Sequence, residues 1–89
     1  MNTSNNMRII RKPEVLSILA ISKSTLHERI NDGFLPPPIK LGERAVGWLE
    51  NEIQQTLKAM AAGIQDDLLA DYIVTLVNAR KVAWDELRR

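Results

Sequence analysis

No cysteine occurs among the 89 residues. That excludes disulfides and thiolate metal sites and fits a reducing compartment. There is one histidine, His27, with no second to share an ion, so neither a metal nor a cofactor is expected. No apolar run approaches the ~18 residues that a membrane span requires. Met1 to Asn6 is polar and has no charged-then-apolar targeting pattern, so a cytoplasmic protein with a disordered tail over residues 1–7 is expected. Internal repeats and low-complexity tracts are absent too. Catalytic groupings are equally scarce. Ser22 and Ser24 lie near His27 in sequence, but no orienting acid or glycine-rich oxyanion loop accompanies them. These serines read as helix caps, and neither an enzyme nor a small-molecule substrate is expected.

What is present is a folded composition, with 45% hydrophobic and 26% charged residues. The length allows one domain with a modest core, for which an added helix or a partner subunit matters. The formal net charge is only +1. Its distribution is uneven: residues 1–65 hold eight basic and six acidic side chains, residues 66–89 four and five.

Arg8, Ile9, Ile10 and Arg11 form a short extended segment before Lys12 and Pro13. Proline suits the first turn of a helix, and Val15, Leu16, Ile18 and Leu19 predict a short apolar helix over residues 13–20. A break at Ile21 and Ser22 precedes a second helix, with Leu26 and Ile30 on one face. Asn31, Asp32 and Gly33 close it, the glycine free to take a left-handed cap. Two short helices joined by a tight turn make a helix-turn-helix outline. Three prolines, Pro36 to Pro38, predict a stiff extended connector. Ile39, Lys40 and Leu41 and then Ala45 to Trp48 flank Gly42, Glu43 and Arg44, which reads as a small hairpin. A third helix is expected from about Leu49, with Leu49, Ile53, Leu57 and Met60 on one face and Glu50 and Glu52 in its first turn. A fourth starts near Asp66 and runs towards the C-terminus. Its stripe of Leu69, Ile73, Leu76, Ala83 and Leu87, with Arg80 filling a gap, is more apolar surface than a small monomer easily covers.

The fold class is therefore mainly α, a winged helix-turn-helix with a two-stranded β-hairpin wing and a long C-terminal helix. Residues 8–62 are read as the DNA-binding domain. Residues 66–89 are read as an amphipathic helix that packs on its own domain or forms a homodimer through Leu69, Ile73, Leu76 and Leu87. A helix entering a major groove needs exposed first turns bearing short polar and basic side chains. Ser22, Lys23, Ser24, Thr25, His27 and Arg29 meet that need. Serine and threonine reach phosphates or base edges, and lysine and arginine address guanine. Lys40 and Arg44 on the hairpin would reach the neighbouring backbone or minor groove. The bland alternative is that residues 23–29 are the solvated face of an ordinary helix. Glu28 favours it, since a carboxylate repels phosphates unless it pairs with Arg29 or reads a cytosine.

From Arg8 to Leu57 the chain resembles the AlpA family of prophage regulators, which is similar to MerR-type winged helices and phage excisionases. The carrying residues are Arg8-Ile9-Ile10-Arg11-Lys12-Pro13-Glu14-Val15 and Ser22-Lys23-Ser24-Thr25-Leu26. Gly33, Pro36 and Pro38 follow, then Ile39-Lys40-Leu41-Gly42-Glu43-Arg44-Ala45-Val46-Gly47-Trp48 and Glu52-Ile53. The resemblance implies a recognition helix over residues 22–31, with Lys23, Ser24, Thr25 and His27 towards double-stranded DNA. It also implies a wing tip at Gly42 to Arg44 and an anchoring role for Trp48. Ala20 stands where the family usually has glycine, His27 where tyrosine is common, and Thr56 where tryptophan is frequent. Leu35 and Pro37 replace a frequent phenylalanine and a basic residue.

Three functions follow as expectations. The first is a sequence-specific transcriptional regulator of phage or integrated-element origin. The second is an excisionase-type recombination directionality factor, which uses the same contacts. The third, of another class, is a protein-interaction adaptor that grips a partner with the C-terminal helix.

Overall fold

The computed structural model describes residues 7–89, so most of the expected N-terminal tail lies outside the described residues. The elements run β1 (Ile9–Ile10), α1 (Lys12–Leu19), α2 (Lys23–Asn31), β2 (Ile39–Lys40), β3 (Val46–Leu49), α3 (Glu50–Ala61) and α4 (Asp66–Leu87). This is the expected mainly helical, winged-helix-like arrangement with a long helix added at the C-terminus.

One strand was not anticipated. The extended Arg8 to Arg11 segment pairs with the hairpin, giving an antiparallel three-stranded sheet of order β1-β3-β2. Ile9 and Ile10 lie opposite Leu49 and Trp48, and Ile39 and Lys40 opposite Gly47 and Val46. A two-residue strand leaves little periodicity to read, and its partner lies some forty positions away. Arg8 reinforces the join, its guanidinium reaching Glu50 at 3.0 Å and Glu14 at 3.3 Å. Both pairs are solvent-exposed, so each is worth no more than about 1 kcal/mol.

Ile10, Val15, Leu26, Leu35, Trp48 and Ile53 form the core, each at most 1% exposed. Each of the first three helices and two of the strands contribute to it, so Leu26 ties α2 into the same core as the sheet residues Ile10 and Trp48. Trp48 is the largest member, and its indole Nε1 donates to the Pro36 carbonyl at 3.1 Å. The proline connector and the base of the wing are thus joined through one buried side chain. Thr56 is fully buried and donates to the Glu52 carbonyl at 2.8 Å.

Three helices end alike. After α2 the Phe34 amide donates to Arg29 and the Gly33 amide to Ile30. After α3 the Ile64 amide donates to Ala59 and the Gly63 amide to Met60. Both are Schellman endings, with the glycines at φ 86° and 87°. After α1 the Ile21 amide donates to Leu16 in the same way, but the left-handed position is held by Ala20 at φ 56°. The turn keeps its shape without glycine, and the alanine Cβ bears the steric cost.

α4 is 22 residues, or about 33 Å long. It packs on α3 through Leu69 and Ile73, which are 2% and 4% exposed. Its decisive polar contact is Arg80. That guanidinium donates to both carboxylate oxygens of Glu52, at 2.6 and 2.9 Å, and to the Pro37 carbonyl at 2.9 Å. Glu52 is only 5% exposed. It is therefore more than a first-turn acid of α3, and Arg80 is the reason that its charge can be buried.

Candidate nucleic-acid interface

The sequence of α2 fixes how its side chains are distributed. Leu26 is fully buried and Ile30 half-buried, and together they set the inward face. Ser22 is the N-cap, its hydroxyl oxygen accepting from the Thr25 amide at 3.1 Å. The Ser22 hydroxyl also donates to Thr25 Oγ1 at 2.9 Å. These two side chains satisfy one another and hold the first turn of the helix. Ser24 is exposed, with its hydroxyl 3.4 Å from that of Ser22.

Arg29 lies apart from the other expected contacts. It is half-buried, its guanidinium 5.6 Å from the centre of the Phe34 ring and 4.0 Å from Met60 Sδ. The reason is geometric: Arg29 and Phe34 are the two positions that the Schellman ending brings together. Thr25 and Arg29 thus flank the core side of α2. The outward side carries Ser24, His27, Glu28 and Asn31, all exposed. Glu28 and Asn31 belong to this face, although Asn31 reads in sequence only as a helix terminator. At 3.6 residues per turn, positions 24, 27, 28 and 31 form one stripe, so periodicity alone could have found it.

A second omission is the start of α1. Lys12 Nζ lies 3.1 Å from His27 Nε2, and since an ammonium only donates, the imidazole nitrogen accepts. Arg11 Nε donates to the Val46 carbonyl at 3.0 Å. Two adjacent basic residues therefore tie the exposed face of α2 to the base of the wing. No sequence spacing indicates this, because the partners are 15 and 35 residues away.

In the wing, the Leu41 amide donates to Ala45 at 2.8 Å, which leaves Gly42, Glu43 and Arg44 as an exposed tip. Lys23, Lys40 and Arg44 are all exposed, and among the described residues none is in an ion pair. The residues expected to pair copies of the chain divide. Leu69 and Ile73 are already covered within one chain, Leu76 is half-buried and Leu87 is 78% exposed. From Leu76 onward, α4 lies over an open groove of about 690 Å³ lined by Met7, Ile39, Leu49, Leu76, Trp84 and Leu87. No metal-binding cluster of acidic or histidine side chains occurs among the described residues, and no described helix is long and apolar enough to cross a membrane.

A short helix pair with a tight turn and a small antiparallel sheet, linked through Lys12 to His27 and Arg11 to Val46, defines a winged-helix-like helix-turn-helix protein. Comparison with known proteins narrows the class. A sequence profile described as prophage CP4-57 regulatory protein (AlpA) matches residues 8–59, and the chain belongs to that family. An uncharacterized protein, ORF88, of Enterobacteria phage P4 is 38% identical over 56 residues, 63% of this chain and 64% of the relative. The chain therefore spans a little under two thirds of that protein. The DNA-binding transcriptional activator AlpA of Escherichia coli (strain K12) is 32% identical over 63 residues, 64% of this chain and 90% of the relative. No solved structure matches the chain significantly.

Proposed function

We propose that this protein is a sequence-specific, double-stranded-DNA-binding transcriptional regulator of phage or integrated-element origin. The observation that carries the reading is the outward face of α2. Its polar side chains are exposed, and it is joined through Lys12 and Arg11 to a wing whose own cations have no ion pair among the described residues. The E. coli relative's description as a DNA-binding transcriptional activator supports it. In this reading α2 enters the major groove, with Ser24 and His27 towards base edges. Lys12, Lys23, Lys40 and Arg44 meet phosphates and supply most of the affinity. Ser22, Thr25 and Arg29 act indirectly, by holding the ends of the helix.

The test is fluorescence anisotropy of the full chain with duplex from upstream of its own gene, across a salt series, against an unrelated duplex. Tighter binding to the native duplex, with log affinity falling linearly in log salt, is expected. Arg44→Ala should weaken binding to both duplexes and lower the salt slope by about one. Equal, salt-independent binding to both, or none at low salt, sinks the proposal.

We also propose that the overhanging end of α4 pairs with a second copy. Leu76, Trp84 and Leu87 continue the stripe that Leu69 and Ile73 begin, and they line an apolar groove that their own chain leaves open. Two linked recognition helices would bind one site with the gain of effective concentration. Sedimentation equilibrium decides it: a mass of twice 10.1 kDa supports pairing, and the single-chain mass at all concentrations excludes it.

A further inference from the structure

On the outward stripe of α2, three side chains are uncharged or basic and one is not. Ser24, His27, Glu28 and Asn31 fall within roughly 100° of the helix circumference, opposite the buried Leu26. Among the described residues the Glu28 carboxylate has no ion-pair or hydrogen-bond partner. Arg29, the cation beside it in sequence, is turned to Phe34 and Met60, and Lys12 is engaged with His27. A bare carboxylate thus stands in the middle of the face assigned above to DNA.

Against phosphates such a group is repelled, and confined in a groove without a donor it loses water and gains nothing. An ionised carboxylate can only accept hydrogen bonds. The major-groove edges of guanine and thymine present acceptors to it. Adenine offers its N6 amine beside the N7 acceptor, whereas cytosine offers the N4 amine alone. The base whose edge suits an unneutralised carboxylate is cytosine.

We propose that Glu28 is a specificity-determining residue that accepts a hydrogen bond from the N4 amine of one cytosine in the recognised site. The inference rests on the reading that α2 occupies a major groove. Its neighbours share the consequence: because Arg29 is spent on the helix end, Glu28 stays free to read a base.

The experiment selects binding sites from a random duplex library with the full chain, with Glu28→Gln and with Glu28→Ala. Anisotropy then follows on the selected site and its single-base variants. The wild type should require cytosine at one position, other bases there costing about 5- to 100-fold in affinity. Glu28→Gln should move the preference at that position to adenine, since a carboxamide both donates and accepts. Glu28→Ala should erase the preference there and leave the rest of the motif intact. If all three proteins select one motif, with both variants merely binding every duplex tighter, Glu28 only repels phosphates and the inference is overturned. A wild type that enriches no motif removes the DNA reading, and this inference with it.

Discussion

Residues 8–61 and α4 are built from the same kinds of side chain but use them differently. In the first region the elements are short, and most large apolar residues lie in or against the common core around Trp48 and Ile53, with Ile9, Leu41 and Val46 left exposed. In α4 a single stripe of three- and four-residue spacings runs the whole length, yet burial stops part-way. Leu69 and Ile73 are covered, while Trp84 and Leu87 on the same stripe are 56% and 78% exposed. The change comes at Arg80, whose guanidinium holds Glu52 and the Pro37 carbonyl at the edge of the domain. Periodicity reports which way a helix faces. It does not report whether anything lies underneath.

The largest effect expected is at that boundary. Arg80→Ala leaves the buried Glu52 carboxylate without its cation and should cost about 3 kcal/mol in urea unfolding. For a chain of this size that is a large share of the total. Glu52→Leu combined with Arg80→Met should recover most of it, because an apolar pair removes the charge together with its partner. A loss below ~0.5 kcal/mol for Arg80→Ala would mean that α4 is not pinned there, and the contrast between its halves would fail.

A smaller effect, of opposite sign, is expected within the first region. Ala20→Gly should stabilise by about 1 kcal/mol, since the left-handed turn that costs alanine is free for glycine. Gly33 and Gly63 occupy the equivalent position at the other two helix ends. Destabilisation on thermal or urea melting would show that the extra backbone freedom glycine loses on folding outweighs the strain it relieves. The smallest effect belongs to the overhang. Leu87→Ser in dilute protein should change stability by less than ~0.5 kcal/mol. In sedimentation the same variant should shift mass towards the single chain if copies pair through that end. A large loss of single-chain stability would place Leu87 against its own domain.

Much of the architecture was legible in the sequence. Pro13, Ser22 as a cap, Gly33 and the prolines at 36 to 38 punctuate the chain by local backbone sterics, so the bounds of α1 and α2 fall within a residue or so of expectation. The wing was readable from Gly42 flanked by two extended runs. The candidate interface was legible only in part. Lys23, Ser24, His27, Lys40 and Arg44 are where residue type and spacing put them, whereas Thr25 and Arg29 turn towards the core side and Glu28 and Asn31 take their place on the outward stripe. Residue type does not separate the two pairs, whereas helix phase sets which of them points outward.

By itself, then, the sequence determined the helices, their ends, the wing and the family, because capping, proline geometry and hydrophobic spacing act over a few residues. The tertiary structure alone decided the rest. It recruited Ile9 and Ile10 as a third strand, joined Lys12 to His27 and Arg11 to Val46, and buried Glu52 against Arg80 from 28 positions away. Each of these is a contact between groups with no local relation, formed because packing around one small core brought them within hydrogen-bonding distance. How far along α4 burial extends was settled the same way, by where that core ends.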